Sequence, residues 1–219
     1  MVRDRSSEFS KVIQVNELQE GDIILLGGRA ISSKLIAFWS KGSSHVGQMM
    51  NLDGKLWLVE SVSWKTNGGD EPIDSYVDKN GKGCCFSSGI VATALPQLVK
   101  YYATTGVFRP TPALNENELS AMRREFQRMH GLGYEMSVTR LTNAVASLPR
   151  KKPKKKFFCS QLTAHLFRLI GRLRKQYSKR RYNSGDYLPS DLVDAIDTNY
   201  KGHFQGTQPF RKLKKVRNA

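Results

Sequence analysis

The sequence is poor in cysteine: three in 219 residues, two of them adjacent at Cys84 and Cys85, with no Cys-x-x-Cys pair. That excludes a disulfide framework and a finger-type zinc site, and makes a reducing compartment the simpler expectation. No apolar run is long enough to span a membrane. The most apolar stretch, 23–39, is interrupted by Gly27, Gly28, Arg29, Ser32, Ser33 and Lys34. Met1-Val2-Arg3-Asp4-Arg5 lacks the apolar core of a secretory signal, so the expected location is the cytoplasm, or a virion packaged from it. Gly27-Gly28 has neither a following Lys-Ser/Thr nor a G-x-G-x-x-G pattern, so a phosphate loop is excluded too. His130 and His165 fall in helical stretches with no carboxylate or cysteine at metal-ligand spacing, and His203 falls in a tail. Neither a metal nor a cofactor is expected.

Acidic residues are scarce in one part of the chain. Residues 1–149 hold 16 Lys and Arg against 15 Asp and Glu, a balance of +1; residues 150–219 hold 19 against 4, a balance of +15 out of the total +16. Such asymmetry suits an acidic partner: anionic lipid, nucleic acid or a virion surface. A solvated basic face is the plainer reading. The hydrophobic content of 39% and the length suit one cored domain over 1–219, with a core at about 18–193 and a basic C-terminal tail at 194–219.

Periodicity predicts a short buried strand at Ile23-Ile24-Leu25-Leu26 after the turn-like Gly21-Asp22, then a helix through Leu35, Ile36 and Trp39 capped by Ser32. Asp53-Gly54 is the strongest hairpin signal, between strands at 45–52 and 55–62. Residues 67–83 read as a loop, with strands near 89–94 and 106–109. Asn115 or Asn117 can cap a helix presenting Leu119, Met122, Phe126 and Met129 on one face. A short helix is expected at 141–148. Another begins near Cys159, with Leu162, Leu166, Phe167, Ile170 and Leu173 at helical spacing.

The stretch Phe157-Phe158-Cys159-Ser160-Gln161-Leu162 places a thiol where that helix begins. Unpaired N–H groups and the positive end of the helix dipole favour the thiolate, the form that attacks carbonyl carbon. A two-residue loop at Asp53-Gly54 makes Leu52 face Lys55 and Gly47 face Glu60, so that His45 and Glu60 become diagonal neighbours on one face of the hairpin. A lone histidine in a strand is more often structural than catalytic, and free cysteine is commonly a core residue. A carboxylate inside the apolar run Leu56-Trp57-Leu58-Val59 is costly without a partner, and the shared face supplies one. Cys84 and Cys85 precede no helix and are assigned to packing.

Gly21-Asp22-Ile23-Ile24-Leu25, Ser44-His45-Val46-Gly47, Leu58-Val59-Glu60-Ser61, Phe158-Cys159-Ser160-Gln161-Leu162 and Leu188-Pro189-Ser190-Asp191-Leu192 together resemble the circularly permuted NlpC/P60 papain-like hydrolases. The nearest likeness is to the YiiX-like group, which includes poxviral relatives and is allied to the lecithin:retinol acyltransferase-like enzymes. The order histidine, polar residue, cysteine is that of the permuted branch. The resemblance implies an α+β fold, an antiparallel sheet or small barrel packed against the nucleophile helix. It implies a cysteine amidase, peptidase or acyl hydrolase, or an acyltransferase, with Cys159 as nucleophile, His45 as general base and Glu60 orienting the imidazole. An amide or ester of an acyl, peptide or lipid substrate would be opened through a thioester. Gln161 departs from the family, where Glu often follows the Cys-Ser pair. The alternative from another class is a catalytically silent papain-like binding or structural protein that uses its basic third.

Lys151, Lys152, Lys154, Lys155 and Lys156 immediately precede the candidate nucleophile and are read as an anionic-surface or substrate-binding run. Replacing all five with Gln is expected to weaken association with anionic vesicles or duplex DNA and to flatten its salt dependence, leaving Cys159 reactive. Titration of parent and variant at two salt concentrations checks this; superimposable curves for both ligands would reduce the run to a solubilising face.

Overall fold

The computed structural model describes residues 11–28, 44–63, 76–77, 88–95, 99, 102–134, 156–173, 187 and 189–209. The expected helix near Ser32, the expected helix at 141–148, most of the loop at 67–83, Cys84, Cys85 and the side chains of the lysine run all lie outside them.

The strands are β1 (Val12–Ile13), β2 (Ile23–Gly28), β3 (His45–Leu52), β4 (Lys55–Ser63), β5 (Ser88–Thr93), β6 (Tyr102–Pro110), β7 (Gly133–Tyr134), β8 (Lys156–Phe157), β9 (Thr198–Phe204) and β10 (Gln208–Pro209). The helices are α1 (Glu116–Met129), α2 (Cys159–Leu169) and α3 (Pro189–Ala195). One sheet runs β1-β9-β6-β2-β3-β4-β5, with β10 also pairing with β6, while β7 and β8 form a separate pair. Its interior pairings are antiparallel; β1 with β9 and β10 with β6 are parallel. The molecule is therefore α+β with a mixed, open sheet.

Two expectations are corrected here. The sheet is neither purely antiparallel nor a small barrel. The outer edge of β5 is occupied by the segment after α1, where the Ile90 N–H donates to the Leu132 carbonyl at 2.8 Å and the Gly131 N–H donates to the Ile90 carbonyl at 2.8 Å. An edge covered in this way is not paired with β1, and the sheet stays open. The sheet also extends past the expected core of 18–193 at both ends, because β9 lies between β1 and β6 and β10 follows it. The alternation in Thr198–Phe204 is weak, with burial confined to Gly202, His203 and Phe204, so a strand was not legible there.

β2 is central. Its Ile23, Ile24, Leu25 and Leu26 are all fully buried, as expected for a strand covered on both faces. Ile23 and Leu25 join Val46, Met50 and Val59 against Met122, Phe126 and Met129 of α1, Leu162, Leu166 and Phe167 of α2, and Leu192 of α3. Ile24 and Leu26 pack on the opposite face with Met49, Leu58, Val107 and Phe204. Asp22, fully buried, accepts from Arg109 Nε and Nη2 at 2.8 Å each and from the Gln19 N–H at 2.9 Å, tying the start of β2 to β6. Sequence reasoning saw a turn and part of a family motif in Gly21-Asp22, but not the Arg109 partner.

The hairpin forms as its sequence dictates. Asp53 (φ 51°) and Gly54 (φ 82°) both take the positive φ of the tight turn, and Leu52 pairs with Lys55 and Gly47 with Glu60. Asn115 caps α1: its Oδ1 accepts from the Glu118 N–H at 3.0 Å, and Glu118 Oε2 accepts from the Asn115 N–H at 2.9 Å. α2 ends earlier than its apolar spacing suggests. Gly171 adopts φ 75°, and the Arg172 N–H returns to the Phe167 carbonyl at 2.9 Å, so Leu173 lies beyond the helix.

Gly89 bears on how β5 is held. It has φ 123°, and a Cβ there would lie 2.4 Å from the Leu132 carbonyl oxygen. Gly89→Ala should therefore cost about 1–3 kcal/mol of stability. Urea unfolding measures it, and an unchanged midpoint with unchanged slope would refute this account of the β5 edge.

Candidate active site

α2 begins at Cys159 because the two residues before it are extended as β8 and Phe158 carries the non-helical φ −76°, ψ 162° of an N-cap. Phe158 has no side-chain acceptor to offer the helix. Instead Gln161 Oε1 accepts from the Phe158 N–H at 3.0 Å, supplying half of a capping box. The position where the sequence departs from the Cys-Ser-Glu pattern thus has a definite local role, performed by an amide as well as by a carboxylate.

His45 is the first residue of β3 and Cys159 the first of α2. Strand alternation places His45 and Glu60 on the face of Met49 and Leu58, whereas Cys159 belongs to the helix-side cluster. They meet at the end of β3, where the β3–β4 ladder stops at the Gly47–Glu60 pair. There His45 Nε2 lies 2.6 Å from Glu60 Oε2, and the ring also interacts with the Cys159 sulfur. Glu60 is fully buried and its Oε1 accepts from the Thr93 hydroxyl at 2.6 Å. Tyr102, on β6, lies nearly parallel to the imidazole, with 7° between planes and 6.4 Å between centroids. Sequence reasoning reached Cys159, His45 and Glu60. It missed Thr93 and Tyr102, whose proximity depends on pairings across β4–β5 and β2–β6.

Burial by itself disfavours both ionised partners. For Cys159, burial raises the thiol pKa, but His45 and the N–H groups of Val46 and Ser160 pull it below its ordinary 9.0. For His45, burial disfavours the imidazolium, yet Cys159 and then Glu60 more than offset it and push the value up to about 10. Both shifts favour a thiolate–imidazolium pair, with the buried Glu60 side chain against the ring.

His165 has a carboxylate partner that sequence spacing could not show. Its Nε2 lies 2.6 Å from Glu125 Oε1, joining α2 to α1. Arg128 holds Glu125 down to about 2 against burial, with His165 adding to the effect. Arg172 reaches Glu118 through Nε at 2.5 Å and Nη2 at 3.0 Å, fastening the far end of α2 to the first turn of α1. His203 is a buried strand residue, not part of a tail.

No protein-family model matches the sequence, and no curated protein does. In three dimensions the chain is similar to the crystal structure of the metalloprotein YiiX from Escherichia coli O157:H7, DUF1105. The TM-score is 0.53 at 18% identity, over 83% of this chain and 95% of that one. The likeness establishes a YiiX-like fold. Among the described residues no helix is long and apolar enough to cross a membrane.

The ion pair makes a prediction independent of substrate. Alkylation of Cys159 by iodoacetamide, followed on its own peptide by mass spectrometry, should remain fast well below the ordinary thiol value of 9.0. In His45→Ala the acid limb should move up, because burial is then opposed only by the Val46 and Ser160 N–H groups. Coincident limbs in parent and variant would mean that the two groups are not coupled.

Proposed function

We propose that the protein is a cysteine-dependent hydrolase or acyltransferase of the papain-like, circularly permuted NlpC/P60 type, opening an amide or ester bond through a thioester. The observation that carries this reading is the juxtaposition of Cys159, at a helix start, with His45 backed by the buried Glu60 at 2.6 Å. In this reading the Cys159 thiolate attacks the carbonyl carbon, and the electron pair of the C=O bond moves to oxygen. The first N–H groups of α2, that of Cys159 among them, lack acceptors within the helix and can meet that oxyanion. Collapse expels an amine or alcohol protonated by the His45 imidazolium. Neutral His45 then takes a proton from water or an acceptor nucleophile, which attacks the thioester and frees Cys159. Glu60 holds the ring throughout.

YiiX is described as a metalloprotein. Among the described residues of this chain no group of three or more His, Cys, Asp and Glu side chains is placed to hold a metal ion. His45 already faces Glu60 and Cys159, so the site does not fit a metal and no step is routed through one. The charge of the C-terminal third supports a binding role, for an anionic lipid, nucleic acid or virion surface, alongside catalysis or in place of it.

Cys159→Ser should lose at least about 10³-fold in turnover with the fold retained, and His45→Ala about as much. The double variant should be no worse than either, since groups acting as one unit are non-additive. Glu60→Gln should lose less, because an amide still orients the ring. Turnover of acyl-lipid, peptidoglycan and isopeptide probes, with circular dichroism as the folding control, measures this. Full activity in Cys159→Ser would falsify the assignment.

A further inference from the structure

We propose that Thr93 is a positioning residue of this site: its hydroxyl fixes the Glu60 carboxylate that in turn holds His45. The inference rests on the proposed role of Cys159 and extends it by one member.

Thr93 closes β5 and pairs with Leu58, so it shares the face of Glu60 and stands diagonal to it across β4–β5, as His45 does across β3–β4. A line of polar side chains thus crosses three strands on the face that also carries Met49 and Leu58. Thr93 is 2% exposed and Glu60 fully buried, so no bulk water replaces this contact. A hydroxyl carries one hydrogen. Two acceptors lie near it, Glu60 Oε1 at 2.6 Å and the Leu58 carbonyl at 3.5 Å, and the shorter contact to a charged oxygen takes the proton. The two carboxylate oxygens then divide their tasks, Oε1 to Thr93 and Oε2 to His45 Nε2. Fixed at one oxygen, the carboxylate cannot rotate away from the ring.

Without the hydroxyl the carboxylate loses the contact that fixes Oε1 and can turn from the ring, and His45 loses a partner that favours its imidazolium. The imidazolium is then depleted and the thiolate loses its counter-charge. Among the described residues the titratable groups meeting here are Cys159 of α2, His45 of β3, Glu60 of β4 and Tyr102 of β6; Thr93 acts on the first two through the third.

The test is the pH dependence of Cys159 alkylation by iodoacetamide, read on its peptide by mass spectrometry in the full chain. Thr93→Val, which keeps the shape and removes the hydroxyl, should raise the acid limb by on the order of one pH unit. Thr93→Ser should return it to the parent position. Thr93→Ser and Thr93→Ala differ only in the hydroxyl, so this pair decides the matter if Thr93→Val does not fold. A merely structural threonine would lower the melting temperature in Val and Ala without moving the limb. A parent-like limb in both, with reactive parent protein, overturns the inference and leaves the proposed function standing. Parent protein unreactive below the ordinary thiol range overturns both.

Discussion

A carboxylate with no exposure to solvent is the constraint on which the rest of the site depends. Glu60 sits in the middle of β4 among Trp57, Leu58, Val59 and Val62, all buried, where an unpaired charge would cost several kcal/mol. Its two partners come from the strands on either side, His45 on β3 and Thr93 on β5. Both contacts require the observed registers. A slip of one residue on either ladder would turn a partner to the opposite face and leave the charge alone. The buried acid therefore specifies strand pairing as well as the orientation of the imidazole.

From His45 the constraint passes to α2. The sulfur must reach the end of β3, so the helix has to start at one place and lie at one angle across β3 and β4. Its start is set by β8 and by the Gln161 amide on the Phe158 N–H. Its other end is stopped by Gly171 and clamped by Arg172 on Glu118, with His165 on Glu125 along its length. These polar contacts sit at the margin of the packing formed by Leu162, Leu166 and Phe167 on the sheet. Apolar burial holds α2 down, and the marginal contacts select its register along the sheet. A helix held only by apolar contacts could slide by a turn, about 5 Å, and remove the thiol from the ring.

The open edge has a related logic. A sheet closed into a barrel needs free edge groups on its outermost strands, but here the residues after α1 hydrogen-bond to β5. That same connection brings α1 onto the helix side of the sheet, where Met122, Phe126 and Met129 join the core. Covering the edge and placing the helix that braces α2 are one structural event.

Local physics made much of this legible in advance. Asp53-Gly54 takes two positive φ values as a tight turn requires, so the hairpin register and the His45–Glu60 diagonal followed from counting along the chain. An asparagine cap for α1 at Asn115 or Asn117, its apolar face and the helix start at Cys159 were likewise written in nearest-neighbour chemistry, and the fold uses Asn115. What the sequence could not supply were contacts between residues far apart along the chain. Thr93 meets Glu60 across 33 positions, His165 meets Glu125 across 40, and Arg109 meets Asp22 across 87. No periodicity encodes such pairs, because each depends on which strands become neighbours. β9 was invisible for the same reason: its residues alternate weakly, and only insertion between β1 and β6 makes them a strand. The sequence by itself determined which groups could carry the proposed chemistry and how they turn locally. The tertiary structure alone decided which of them share a buried, low-dielectric space, where a thiol and an imidazole interact far more strongly than they would in water.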